Sequence, residues 1–242
     1  ISIIYLWQTN IYIIDFKFEI INDFFDSNIF IAILFTTTCL IILINGYNFI
    51  DGVHGLTILH AISSIILFNY FIFFILEEQI SFNSISILLP TLIVLYFQNI
   101  RKKIFLGDSG SYYLASIIGL MIINQTLNKD YSYPYVYASI LIYPAFEVFF
   151  SIFRKIYFKK NPLSPDREHL HHLLKNYLEK EKKISFDKAS ILTGLIINIF
   201  VFLFGLISIQ FYNHKYVLIN NLFLFCFIYL MFYFWIYRKL KV

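Results

Sequence analysis

Charged side chains are scarce in this sequence of 242 residues, where they make up only 14%. Soluble globular domains contain about 25% charged residues and are about half apolar. Here 59% of the residues are hydrophobic and 21% are aromatic. Too few polar side chains remain to cover a water-soluble globule, which excludes a soluble enzyme and a disordered tail. The composition instead predicts an all-α, polytopic integral membrane protein.

Cysteine and glycine are also scarce. The two cysteines, Cys39 and Cys226, both lie within apolar runs, which is typical of buried free thiols and excludes a disulfide-stabilised scaffold. Only eight glycines occur, and five of them crowd into the segments 46–55 and 107–110. This concentration makes the two segments informative in a chain that otherwise has so little glycine.

Apolar runs long enough to cross a bilayer recur along the chain. A spanning helix needs about 20 mainly apolar residues, and residues 1–7 resemble the end of one such helix. The predicted full spans are 28–44, 56–76, 84–100, 109–126, 134–152, 188–210 and 218–237. We therefore expect about seven full transmembrane helices and a partial first one, in a single transmembrane domain over 1–242.

Lysine and arginine are distributed unevenly between the two sides of these spans. Sixteen of the 19 basic residues fall on one side, ten of them in the loop over 153–187 and at Lys188 on its edge. Because basic loops stay in the cytoplasm, this side is predicted to be cytoplasmic. The loop would carry an amphipathic helix that lies on the membrane surface. On the opposite side, partial alternation over 8–27 favours an extended hairpin.

The first of three polar clusters on the cytoplasmic side is NGYNFIDGVHGL, residues 45–56. Asn45, Asn48 and Asp51 recur every three residues and would share one side of a helical turn. A turn between two helices, capped by Asp51, is the alternative. The segment nevertheless holds two Asn, one Asp, one His and three Gly, which is more than a turn needs.

The second cluster is RKKIFLGDSGSYYLAS, residues 101–116, which leads into the next span. In one interpretation Asp108 only caps a helix, and the basic residues only obey the positive-inside rule. The free N–H groups and the dipole of a helix N-terminus also suit a phosphate. An acidic residue there suits Mg²⁺ held between protein and phosphate oxygens.

The third cluster is NPLSPDREHLHHLL, residues 161–174. It holds three of the six histidines, His169, His171 and His172. A transition-metal site and a solvated polar face are both open alternatives. A phosphate-binding and acid–base cluster is favoured because of the groups that accompany it.

An even number of predicted spans separates Asp51 from Asp108, and Asp108 from His169. All three clusters therefore return to the same membrane surface, where they can form one site. Carboxylates, amides, imidazoles and basic groups are the groups that phosphoryl transfer uses, because Mg²⁺ and cations stabilise the phosphate charge.

The three motifs together resemble the polyprenyl-phosphate N-acetylhexosamine-1-phosphate transferase family, glycosyltransferase family 4. This family includes the enzymes that start O-antigen and teichoic acid synthesis and the phospho-MurNAc-pentapeptide translocases. The matching motifs are NxxNxxDGxxGL at 45–56, FxGDxGS at 105–111 and PDxxHxHH at 165–172. The spacing of the histidines looks more like the O-antigen and teichoic acid branch than the translocase branch.

The resemblance implies that the protein transfers N-acetylhexosamine-1-phosphate from a UDP-sugar to undecaprenyl phosphate and releases UMP, as the first membrane step of a cell-surface polysaccharide pathway. It implies a cofactor, Mg²⁺ with Mn²⁺ as the alternative, and a cytoplasmic active site in the bacterial inner membrane. The implied partners are the UDP-N-acetylhexosamine, undecaprenyl phosphate and membrane lipids, with no nucleic acid. A homodimer stays open.

Residue roles follow from the resemblance by position. Asp51 and Asp108 would hold the metal and, together with His169, act in catalysis. Binding of the nucleotide and its phosphates would fall to Asn48, Arg154, Arg167, His171 and His172.

The sequence departs from the family pattern in three places. His54 stands where many members carry a second Asp, and Glu147, three residues after Pro144, stands where many carry Asp. Glu147 would either act in the site or simply pair with Arg154. The chain also contains no Asp-Asp pair, so the resemblance predicts that the N-terminal spans of the family are lacking and that this chain alone is inactive.

Two other functions stay open. A non-catalytic membrane scaffold would carry the motifs without activity. A transporter would need ionisable residues near mid-span, and the predicted spans are nearly free of them.

Overall fold

In a computed structural model, helices make up all the regular secondary structure of the described residues, which are 12–13, 15–76, 87–126, 133–161, 164 and 168–241. In chain order the helices are α1 (Glu19–Asp26), α2 (Ile29–Ile50), α3 (Leu56–Tyr70, continued by the π-helical turn Phe71–Ile75), α4 (Leu88–Ile100), α5 (Gly107–Thr126), α6 (Pro134–Ile140), α7 (Ile142–Tyr157), α8 (Leu170–Lys180), α9 (Phe186–Gln210) and α10 (Lys215–Lys241). The predicted all-α, polytopic fold class is confirmed.

The described residues do not confirm the predicted number of membrane-spanning helices. Four helices are long and apolar enough to cross a bilayer, namely α2, α3 with its π-helical turn, α9 and α10. The pair α6 and α7 makes a fifth if it is taken as one bent span. The count of seven is therefore not confirmed, because α4 has only 13 residues and α5 opens with the polar turn Gly-Asp-Ser-Gly-Ser. The predicted partial helix at 1–7 lies outside the described residues.

The segment that was expected to form an extended hairpin contains α1 instead. Ile21 and Phe25 are four residues apart, so they share one face of a helix. Phe25 is buried and packs on the rings of Phe16 and Phe35, with centroids 4.9 and 5.3 Å away. Asn28 then caps α2 by accepting a hydrogen bond from the N–H of Ile31. The part of the predicted hairpin over 8–11 lies outside the described residues.

A sharp break separates α6 from α7. The two helices are bent by 76°, and the break follows from Pro144, which has no N–H to bond the carbonyl of Ile140. Pro144 itself lies in the first turn of α7, where a missing N–H is not needed. The bend sets the direction in which α7 runs toward the candidate site.

Helix α2 packs against both α5 and α7. At its crossing with α7 the backbones come very close, because a Cβ on Gly46 would lie 2.4 Å from the carbonyl oxygen of Pro144 and 2.6 Å from its carbonyl carbon. Only glycine permits this approach. The crossing therefore fixes where α2 ends relative to α7.

The predicted amphipathic helix of the 153–187 loop is α8, and its apolar side faces protein. Leu170, Leu173, Leu174 and Leu178 are buried in a core that α9 and α10 also form. Tyr177 packs on Trp235 of α10 at 5.2 Å. The leucines of this helix thus pack on an apolar surface of the protein itself, and its position at the membrane surface stays a prediction.

We predict that Gly46→Ala destabilises the folded protein by roughly 1–3 kcal/mol, as overpacking of a tight interior does. The neighbouring atoms belong to the backbone of Pro144 and cannot rotate away. Thermal unfolding in detergent measures the loss.

Gly205→Ala is the matched control for this substitution. Its added Cβ would meet the Cδ1 of Leu67 at 2.6 Å, which is the end of a flexible side chain that can turn aside. A melting temperature lowered equally by both substitutions would contradict the close backbone crossing.

Candidate active site at the helix ends

The three polar clusters meet in space. The Asn48 side-chain amide donates a hydrogen bond of 2.7 Å to the carboxylate of Asp108, which joins the first motif to the second. A Cβ on Gly52 would lie 2.6 Å from the Nε2 of His171 and 2.5 Å from the Cε1 of His172. The first motif thus also touches the third. The convergence that the sequence predicted is observed.

The loop between α2 and α3 carries the first motif. Helix α2 ends at Ile50, and the loop closes at Gly55, whose φ of +80° suits glycine. The N–H of Gly55 donates to the side-chain oxygen of Asn99, and the Asn99 amide donates to the carbonyl of Ile104. Asn99 is buried, and through these two hydrogen bonds it fixes the position of the first motif relative to the second. Sequence reasoning missed it, although an Asn inside an apolar run just before a basic turn was a signal.

Asp51 lies in this loop in an unfavourable electrostatic environment. The pKa of Asp51 is raised to about 6, mainly by burial and to a smaller extent by the negative charge of Asp108, whereas hydrogen bonds with the side chain of Thr57 and the backbone N–H of Gly107 oppose the shift. Two carboxylates that repel each other in a partly buried place are a common feature of cation sites, since a bound cation removes the repulsion.

The donor set at this point fits Mg²⁺ rather than a transition metal. Within the described ranges, no group of three or more His, Cys, Asp and Glu side chains could hold a metal ion. Mg²⁺ is usually bound through one or two carboxylates together with waters and substrate phosphates. Asp51 and Asp108, with the amide oxygen of Asn48 beside them, supply hard oxygen ligands of this kind.

The histidine cluster is not a solvated face, because His169 is only 5% exposed and His171 is fully buried. The rings of His169 and His171 are nearly parallel at 5.5 Å, and those of His171 and His172 are 4.3 Å apart. Burial, and then the charges of His172 and His169, lower the pKa of His171 well below its ordinary value. His171 is therefore a neutral imidazole packed behind Gly52, whereas His172 is partly exposed.

Glu147 is fully buried and pairs with His169. Its Oε2 lies 2.9 Å from the Nδ1 of His169, and its Oε1 accepts a 2.8 Å hydrogen bond from the hydroxyl of Tyr229. The alternative in which Glu147 simply pairs with Arg154 is wrong, since the ion pair of Arg154 is with Glu168 at 3.7 Å.

Arg154 holds the polypeptide at the start of the third motif. Its guanidinium donates to the backbone carbonyl of Glu168 and to the hydroxyl of Tyr233, the latter at 2.7 Å. Lys155 makes a similar contact with the carbonyl of Ser164 at 2.7 Å, and sequence reasoning missed it. These contacts anchor the loop, and the expected role of Arg154 in phosphate binding stays a prediction. Arg167 lies outside the described residues.

His54 lies at the edge of the site. Its backbone N–H donates to the side-chain hydroxyl of Ser190. The centroid of its ring lies 6.1 Å from that of the Phe105 ring. Burial, and then the charge of Lys102, lower the pKa of His54. Where many family members carry a carboxylate, this chain thus has an imidazole that favours the neutral form.

Comparison with curated proteins finds relatives that are named as N-acetylglucosaminyl 1-phosphate transferases. The chain is 31% identical over 160 residues to the undecaprenyl-phosphate alpha-N-acetylglucosaminyl 1-phosphate transferase of Thermotoga maritima, covering 63% of this chain and 48% of that protein. It is 27% identical over 136 residues to the protein of the same name in Escherichia coli K12, covering 54% and 37%. It is 27% identical over 168 residues to a probable undecaprenyl-phosphate N-acetylglucosaminyl 1-phosphate transferase of Bacillus subtilis, covering 68% and 44%.

The chain thus spans at most about half the length of these curated relatives. No solved structure matches it. The model of the family described as Glycosyl transferase family 4 matches residues 1–126, a range that includes the first two motifs and the contact between Asn48 and Asp108. Because this match covers more than half of the chain, the protein belongs to glycosyl transferase family 4.

Proposed function

We propose that this protein transfers an N-acetylhexosamine-1-phosphate from a UDP-sugar to undecaprenyl phosphate, with Mg²⁺, at the cytoplasmic face of the bacterial inner membrane. The names of the relatives supply the acceptor and the transferred group. The observation that carries the proposal is the contact between Asn48 and Asp108, beside a histidine cluster that touches Gly52. The scaffold and transporter alternatives have no comparable observation in their favour.

The chemistry divides naturally among the three motifs. An oxygen of the lipid phosphate attacks the phosphorus that bears the sugar, the P–O bond to the UMP phosphate breaks, and the sugar C–O bond stays intact. When bound, Mg²⁺ supplies positive charge to the phosphates in this step. Asp51 and Asp108 would hold it, while His169 and His172 would contact phosphate oxygens from the opposite side.

An apolar rim beside the site suits a lipid acceptor. Phe105, three residues before Asp108, is 72% exposed, and Tyr113, five residues after it, is 60% exposed. Large apolar side chains exposed next to a polar site are typical of a surface that meets lipid. A polyprenyl chain on this rim would place its phosphate at the helix ends.

The first test is UMP release from UDP-N-acetylglucosamine and undecaprenyl phosphate by protein made from its complete coding sequence. We expect release that depends on Mg²⁺ and stops on chelation. Asp108→Asn should lower it about 100-fold or more, because several kcal/mol of charge stabilisation are lost.

Asp23→Asn, on the exposed surface of α1, is the matched control and should leave UMP release unchanged. Folded wild-type protein that releases no UMP would rule out the proposed function. Full activity in Asp108→Asn would instead show that the metal ligand is wrongly assigned.

The second test concerns the charge of Asp51. Because the pKa of Asp51 in the folded state is about 6 and its ordinary value is 3.8, ionisation destabilises the folded protein. This cost is absent below about pH 4, appears as the pH rises, and is complete above about pH 6. Without divalent cations, Asp51→Asn should therefore stabilise the protein at pH 7.5 by about 1–3 kcal/mol and have little effect at pH 4.

Thermal unfolding with and without Mg²⁺ completes this test. Mg²⁺ should raise the melting temperature of the wild type more than that of Asp51→Asn, since the variant lacks one ligand. Equal shifts in both proteins would contradict a cation site at Asp51, whatever the activity assay shows.

A further inference from the structure

The buried carboxylate of Glu147 calls for a physical explanation. It lies in α7 with no exposed surface, in a pair of helices apolar enough to cross a membrane. An ionisable group at such a position is costly and is usually retained for function. The hydroxyl of Tyr229 donates to Oε1, the Nδ1 of His169 lies 2.9 Å from Oε2, and Tyr143 also forms a side-chain hydrogen bond with this carboxylate.

His169 is held from several directions at once. It is the N-cap residue of α8, and its ring lies 5.2 Å from that of Phe49 on α2 and is stacked on that of His171. Glu147 adds a contact from α7, and Tyr229 reaches the same carboxylate from α10. An imidazole fixed in this way has little freedom to turn.

The carboxylate also decides which ring nitrogen carries a proton. When Glu147 is ionised its carboxylate can only accept, so the Nδ1 of His169 is then the donor of this hydrogen bond. The other nitrogen, Nε2, makes no hydrogen bond with the described residues. A proton on Nε2 makes the ring cationic, and the charge of Glu147 offsets it, so that His169 can donate to a phosphate without leaving an unbalanced buried charge.

We propose that Glu147 and Tyr229 are positioning residues for His169: they fix its Nδ1–H and direct Nε2 toward a phosphate of the sugar nucleotide. The inference rests on the proposed function, because it needs a phosphate ligand at His169. The competing explanation is that Glu147 only ties α7 to α8 and α10, in which case its loss would affect stability but not ligand binding.

The test replaces Glu147 by Gln, which keeps the shape and removes the charge. Nitrogen-15 NMR of the histidine rings, with the His169 signal assigned by its loss in His169→Asn, should show a protonated Nδ1 in a strong hydrogen bond in the wild type. The downfield Nδ1–H signal should be lost in Glu147→Gln. In the presence of Mg²⁺, the Kd for UDP-N-acetylglucosamine should rise about tenfold, as when the partner of a ligating histidine is removed.

Two further variants keep the test decisive if Glu147→Gln does not fold. Tyr229→Phe removes one hydroxyl and should raise the same Kd by about fivefold. Glu147→Asp should restore part of the affinity and of the Nδ1–H signal, a rescue that a purely structural role does not predict. Glu19→Gln on the exposed surface of α1 makes the same chemical change elsewhere and should leave the Kd unchanged.

The two proposals fail in different ways. Wild-type protein that neither binds the UDP-sugar nor releases UMP would overturn the proposed function, and the positioning role with it. Wild-type protein that does both, with Glu147→Gln and Tyr229→Phe binding equally well, would overturn the positioning role alone. An unprotonated Nδ1 in the wild type would overturn the positioning role too.

Discussion

The backbones of α2 and α7 meet at Gly46 and Pro144, and the positions of the site residues follow from that contact. Two residues after Gly46 comes Asn48, which reaches Asp108, and Asp51 follows in the loop. Three residues after Pro144 comes Glu147, which reaches His169. This one close approach of the two backbones therefore sets the distance between the carboxylates on one side of the site and the histidines on the other.

The loops of the site are held by buried polar side chains rather than by their own secondary structure. Asn99 bonds to Gly55 and Ile104, and Arg154 bonds to the carbonyl of Glu168. Beside lipid, a backbone group without a partner is expensive because water is scarce. Side chains from the helix ends therefore take the place of water and make the loops of the candidate site more rigid.

Composition and motif spacing were enough to predict the helical class and the meeting of the three clusters. They were not enough to count the spans, because α5 carries a polar first turn and the bend before α7 depends on the backbone of one proline. Nor could they assign partners to charged residues. The sequence allowed Glu147 to pair with Arg154 seven residues on, yet Glu147 lies against His169, and Arg154 forms an ion pair with Glu168. Which partner each of these side chains reaches depends on how α8 packs on the rest of the protein. That packing is set by contacts between the leucines of α8 and residues that are distant in the sequence.

Gly52 touches two histidines that are far from it in the sequence. Any larger residue at this position would push against the rings of His171 and His172, and any shift of α8 would open a gap above the glycine. The loop after α2 and the start of α8 must therefore change together during evolution. Exchanging the histidine segment between related proteins, as in a chimera, would preserve the site only if the opposing loop were exchanged with it.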